Sequence, residues 1–317
     1  EGVTIAECEY CGTKQTVPKA IDENLQNLFN RANTLRIKSE FDKAEKLYEK
    51  IIQADTTQSE AYWGLILCKY GIEYVDDPAS GKKIPTCHRS SFDSIMDDSD
   101  FEQVLENADG AARRVYREEA KTIEEIRKGI IAVSANEEPY DIFICYKETD
   151  DLGGRTPDSV LAQDIYDALN IRHYRTFFAR ITLEDKLGLE YEPYIFAALN
   201  SAKVMIVVGT KPEYLNAVWV KNEWSRYLSL MHNDRSKTLV PCYRDVDPYD
   251  MPPEFKNLQG QDMSKLGFIQ DLTRGITKII RGSGEKPTVT TSAPTGALTK
   301  RGYFFLEDGD YKSADEY

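Results

Sequence analysis

Only three of the 317 residues are histidines, which leaves thin support for a histidine-based triad. No G-x-G-x-x-G follows a strand-like run, and no G-x-x-x-x-G-K-[ST] occurs. Gly153 and Gly154 fall instead in a polar loop. A dehydrogenase or P-loop NTPase therefore loses its main support. No apolar run is long enough to span a bilayer, and no signal-peptide pattern stands near the start. Basic residues are in deficit: 40 Lys and Arg face 53 Asp and Glu, a formal net charge of −13. That balance argues against general nucleic-acid binding, because a phosphate backbone needs cations to neutralise it. The six cysteines lack framework spacing, and Cys145 and Cys242 sit inside apolar strand-like runs. This usage fits a reducing cytoplasm better than a secreted, disulfide-bonded fold.

The length suffices for two domains or three. The chain starts at Glu1 rather than Met and reads as a piece of a longer protein. Residues 1–20 hold Cys8-Glu9-Tyr10-Cys11, which resembles one knuckle of a zinc ribbon. A structural zinc site needs four ligands, so Cys8 and Cys11 read as half of a site in a full-length protein, with a disordered remnant as the alternative. Residues 21–135 read as an α-helical region. Leu25, Leu28, Phe29, Ala32 and Leu35 follow helical spacing, as do Phe41, Ala44, Leu47, Tyr48 and Ile51. The pattern resembles a tetratricopeptide helical pair. Residues 309–317 parallel residues 39–47, so a second, truncated repeat is expected over 299–317. Residues 282–298 are rich in Gly, Ser, Thr and Pro and read as a linker. The stretch 71–100 lacks periodicity. Its Cys87-His88 suggests either a metal-ligand pair or two loop neighbours placed together by chance.

Between residues 138 and 281 apolar runs alternate with helical patterns. Strands are expected over 140–146, 174–178, 203–208 and 238–243, with a weak fifth near 261–263. Helices are expected from Pro157 or Asp158, over 191–199, over 212–231 as one long helix, and over 268–280. Such alternation implies a parallel sheet of about five strands with helices on both faces. Ligands in these α/β sheets sit beyond the carboxyl ends of the strands, at the switch point. Tyr146, Lys147, Phe178 and Arg180 fall on that rim, and Trp219 and Glu223 lie on the helix after the third strand. Residues four apart share a helical face, so Trp219 sets an indole plane beside the Glu223 carboxylate.

Four blocks together resemble a prokaryotic TIR (Toll/interleukin-1 receptor) domain with a flavodoxin-like α/β fold. They are Tyr140-Asp141-Ile142-Phe143-Ile144-Cys145-Tyr146, Asp158-Ser159 with its helix, Phe177-Phe178-Ala179-Arg180, and Trp219-Val220-Lys221-Asn222-Glu223-Trp224. The resemblance covers roughly 138–281. It implies an NADase that cleaves the nicotinamide–ribose bond of NAD+ and, in cyclising members, closes ADP-ribose to a cyclic isomer for immune or virulence signalling. Glu223 matches the family's catalytic Glu, and Trp219 matches a pocket Trp one turn earlier. The loop 180–192 matches a segment that touches a neighbouring subunit. The resemblance thus implies NAD+ as substrate with no cofactor required, self-association through TIR domains, and partners for the helical repeats. The alternative is a non-catalytic scaffold.

The chemistry suits these residues. As nicotinamide leaves, positive charge grows on the ribose, and a carboxylate can stabilise it. At about 4 Å and an effective dielectric of about 20 the attraction is on the order of 4 kcal/mol, roughly three decades in rate. Trp219 can stack on a nicotinamide or adenine ring. Such stacking would fold the product so that its own hydroxyl captures the anomeric carbon. Lys147 or Arg180 can pair with the pyrophosphate, and Tyr146 and Phe178 are expected to line the pocket.

Overall fold

The computed structural model describes residues 5–7, 14–19, 22–76, 83–186, 190–247 and 249–282. Cys8, Cys11 and the repeat expected over 299–317 lie outside the described residues, as does the expected linker beyond Gly282. The chain divides into two units, Glu1–Ile280 and Arg281–Tyr317. Of the second, only Arg281 and Gly282 are described.

The first unit opens on an antiparallel pair, β1 (Ile5–Glu7) and β2 (Lys14–Thr16). Helices α1 (Glu23–Ile37), α2 (Phe41–Ala54) and α3 (Ser59–Lys69) follow. Asp22 starts α1 by accepting a hydrogen bond from Leu25 N at 2.9 Å, which satisfies one of the amides that every helix leaves open at its N-terminus. Helix α2 buries Phe41, Ala44, Leu47, Tyr48 and Ile51, a stripe at three- and four-residue spacing. The stripe packs on Phe29 and Ala32 of α1 and Ala61 of α3. Gly64 permits the close approach of α3, since a Cβ there would lie 2.5 Å from the Tyr48 ring.

The aperiodic stretch 71–100 holds a hairpin, β3 (Tyr74–Asp76) with β4 (Lys83–Pro85), then a loop and a single 3-10 turn at Ile95–Asp97. Helices α4 (Ser99–Asn107) and α5 (Gly110–Ser134) complete a predominantly helical N-terminal region. Its second core, around Trp63, Ile66, Tyr70, Phe101, Tyr116 and Ile123, also takes in Phe196 from the sheet region. The Phe92 ring meets Phe196 edge-on, with centroids 5.1 Å apart. The helical and sheet regions therefore share buried apolar surface.

The sheet region runs β5 (Ile142–Cys145), α6 (Pro157–Asn170), β6 (Thr176–Phe178), α7 (Ala179–Thr182), α8 (Glu192–Ser201) and β7 (Val204–Gly209). It continues with α9 (Pro212–Leu215), α10 (Val218–Asn233), β8 (Thr238–Tyr243), β9 (Gln261–Asp262) and α11 (Phe268–Arg281). The five strands pair in parallel in the order β6-β5-β7-β8-β9, the flavodoxin-like arrangement. Alternate residues serve opposite faces, as the pleat requires. Phe143, Cys145, Met205 and Val207 pack toward α8 and α10. Ile142, Ile144, Val204, Ile206 and Val208 pack toward α6 and α11. Both faces are covered, which is why the strands read as continuous apolar runs.

One expectation needs correction. The helix foreseen over 212–231 is two helices, α9 and α10, broken at Asn216 and Ala217. The buried Trp224 indole donates to Leu215 O at 2.9 Å, taking a carbonyl that a continuous helix would use itself. Ala217 is not helical, with ψ 140°. Helix α6 starts at Pro157, one of the two starts expected, and its cap is Thr156, whose hydroxyl accepts from Ser159 N at 3.1 Å. Asp158 turns inward instead. Its Oδ1 accepts from Thr210 N at 2.7 Å and Thr210 Oγ1 at 2.6 Å, tying α6 to the end of β7.

Candidate active site

Strand order reverses between β5 and β7, so the crevice beyond their carboxyl ends is the expected ligand position. The break before α10 starts that helix at Val218. Trp219 then falls in its first turn and Glu223 in its second, on the face toward the crevice. A cleft of about 630 Å³ lies there, lined by Tyr146, Lys147, Glu148, Ala179, Arg180, Trp219 and Glu223 among others. A second chamber of about 260 Å³ adjoins it, lined by His88, Tyr191, Glu192, Trp219, Asn222, Glu223 and Arg226. Trp219 and Glu223 are common to both walls.

Glu223 keeps part of its surface open to this space and lies in no ion pair within 4 Å among the described residues. Burial of the carboxyl pushes its pKa up from 4.5 to about 7; a hydrogen bond with Cys145 pulls it down, the like charge of Glu192 pushes it up, and Arg226 pulls it down. Such a shift is what removal from water does to a carboxylate. Burial, then the neighbouring Glu223, holds the Cys145 thiol well above its ordinary value. A group with a shifted pKa in a cleft is a natural candidate for chemistry.

Trp219 is 47% exposed, so its indole belongs to the cavity wall rather than the core. The His88 ring meets it edge-on, with centroids 4.8 Å apart. Tyr146 and Lys147 line the larger cleft. Burial raises the Tyr146 phenol above its ordinary range. Arg180 also lines it, but its guanidinium lies 3.7 Å from Glu148; with both side chains well exposed, this pair contributes little. Phe178 is not brought to the cleft. It is fully buried and sandwiched between Tyr146 and Tyr166, at centroid distances of 5.0 and 5.2 Å. It supports Tyr146 from beneath and does not line a pocket.

Several residues that sequence reasoning passed over complete the smaller chamber. Arg226 Nη1 donates to His88 O at 3.1 Å and Nη2 to Ser90 O at 2.6 Å, while Glu192 lies 3.7 Å from Nη1. Arg226 stands three residues after Glu223 and seven after Trp219, so helical spacing could have found it. Cys87 and His88 diverge. The Cys87 thiol is buried, accepts from Ser90 Oγ at 3.2 Å and donates to Tyr70 O at 3.5 Å, and burial pushes it up to about 11. No group of three or more His, Cys, Asp or Glu suited to a metal occurs among the described residues. Among those residues, too, no helix is long and apolar enough to cross a membrane.

Residues 142–279 match the family model of the TIR domain. The match and the strand order together support a TIR domain over this segment, a family of signalling domains. No curated protein and no solved structure matches the chain.

Proposed function

We propose that the chain is an NAD+ glycohydrolase that cleaves the nicotinamide–ribose bond and closes the remaining ADP-ribose to a cyclic isomer. The observation that carries this reading is the position of Glu223, on the wall shared by the two cavities with the Trp219 indole beside it. A dinucleotide laid through the cleft would bring its scissile bond to this junction. Lys147 and Arg180, on the larger side, would meet the pyrophosphate.

In the proposed reaction the C1′–N bond breaks and its electron pair passes to the pyridinium nitrogen, so nicotinamide leaves neutral. The ionised Glu223 carboxylate stabilises the cationic ribose, an attraction that strengthens as the bound dinucleotide displaces water from the junction. A hydroxyl of ADP-ribose, or water, then bonds to C1′ and gives up its proton to the carboxylate or to solvent. Trp219 favours the hydroxyl by folding the intermediate. The products would serve immune or virulence signalling in the cytoplasm. Self-association of TIR domains, through the segment 180–192, would make activity rise steeply with protein concentration.

The test is incubation of NAD+ with the chain and with Glu223→Ala, reading nicotinamide by chromatography and the ribose products by mass. Release by the parent and not by the variant supports the reading. Equal release by both overturns it. Intact self-association with no release at any concentration would favour a scaffold of TIR and tetratricopeptide-like parts.

A further inference from the structure

We propose that His88, carried by the helical region, is a positioning residue of this site: it fixes the Trp219 indole across the junction of the two cavities, so the seat for the substrate's flat base is set from outside the TIR domain. The inference rests on the NAD+ reading above.

The geometry is specific. The His88 side chain is only 10% exposed, while the indole it meets is 47% exposed and stands in the first turn of α10. The indole lines both cavities, and the edge-on contact of the imidazole at 4.8 Å restricts how it can turn. His88 is itself held on several sides. Its Nε2 lies 2.9 Å from Thr86 Oγ1 and 3.3 Å from Glu73 Oε2, and its Nδ1 lies 3.8 Å from Glu192 Oε2. The backbone is fixed too, since His88 N donates to Gly71 O at 3.1 Å and Arg226 of α10 donates to His88 O. A residue whose ring is held by Thr86 and Glu73, and whose backbone carbonyl accepts from the helix that carries Trp219 and Glu223, is placed to transmit a position, not merely to fill space. Glu223 remains open to the cavity, so His88 acts on the reaction through Trp219.

The experiment compares the parent with His88→Ala, His88→Phe and Trp219→Phe. Trp63 and Trp224 are buried at 2% and 1% exposure, so acrylamide quenching of intrinsic emission reads chiefly Trp219, and Trp219→Phe supplies the baseline. His88→Ala is expected to make the emission more quenchable. It should raise the KM for NAD+ about two- to tenfold, the size of one lost aromatic contact, with a smaller change in kcat and a product mixture shifted from cyclic toward linear ADP-ribose. His88→Phe keeps a ring edge against the indole and should restore KM and product ratio. Parent-like quenching, KM and product ratio in His88→Ala would overturn the inference, as would equal impairment of the alanine and phenylalanine variants. No nicotinamide release by the parent would overturn the NAD+ reading instead. The quenching comparison would still decide whether His88 fixes the indole.

Discussion

The Arg89 guanidinium donates to the side-chain oxygen of Asn222, one residue before Glu223. The same guanidinium pairs with Asp42 at 2.7 Å and lies over the Phe41 ring at 5.0 Å. Asn222 in turn donates from Nδ2 to Ser39 O at 3.2 Å. One carboxamide on α10 thus joins the turn between α1 and α2 to the loop before α4. The helix that carries the candidate catalytic pair is anchored in the helical region by named hydrogen bonds, not only by shared apolar surface.

That anchor predicts the effect of Asn222→Ala. The variant removes an acceptor from a guanidinium and a donor from a carbonyl in a place with little water. Losing partners for buried polar groups costs about 1–3 kcal/mol. Urea denaturation should show a loss of that order. A second expected effect is a fall in NAD+ cleavage beyond what stability explains, measured well below the melting temperature. Unchanged stability would mean that water replaces the lost contacts and that the anchor is only apparent.

Glu223 gives a pH prediction with a definite sign. Its carboxyl ionises at about 7 instead of 4.5 because burial disfavours the charge. The proposed chemistry needs the ionised form. Nicotinamide release at NAD+ well below KM, which reports the free protein, should therefore be low near pH 5 and rise through about pH 7 to a plateau. An acid limb centred in the ordinary carboxylate range would show that another group controls the rate.

The same shift predicts that the site costs stability. Below the ordinary range Glu223 is protonated folded or unfolded, and contributes no difference. As pH rises from 4.5 toward about 7 the unfolded chain ionises first, so the fold loses stability across that interval and stays at the lower level above it. At about 1.4 kcal/mol per pKa unit the full cost is on the order of 3 kcal/mol. Glu223→Gln should abolish cleavage and yet raise the urea midpoint at about pH 8, with little gain at about pH 4. An equal gain at both would assign the effect to packing.

Much of this was legible in the sequence, for physical reasons that also mark its limits. Strands buried on both faces give unbroken apolar runs, so β5, β7 and β8 declare themselves locally. Trp219 and Glu223 share a helical face through spacing alone, and they do line the same two cavities. Phe178 stands apart from the cleft because the Tyr146 and Tyr166 rings cover it. Strand parity alone does not report this, since its partner in register, Ile144, does line the cleft. The break before α10 depends on the Trp224 indole reaching Leu215 O, a contact no propensity reports. His88 lies far from Trp219 along the chain, in a loop without periodicity, so only the folded contact reveals it.

The short link between β7 and α9 makes the last prediction. Gly209 ends β7, and an added Cβ would lie 2.4 Å from the Leu215 side chain. Leu215 is 1% exposed and packs in the α8–α10 layer, so it cannot swing away freely. The next residue, Thr210, bonds Asp158 and so ties the link to α6. Gly209→Ala should therefore overpack the link, at a cost of about 1–3 kcal/mol. Leu215→Ala alone should leave a cavity and cost about 2–5 kcal/mol. Because the two side chains contend for one volume, the double variant should be more stable than the sum of the two losses, with a coupling of about 0.5–3 kcal/mol read from urea denaturation. Strict additivity would show that the backbone, not Leu215, absorbs the added methyl. In that case the Gly209–Leu215 contact does not set the geometry from which α10 departs.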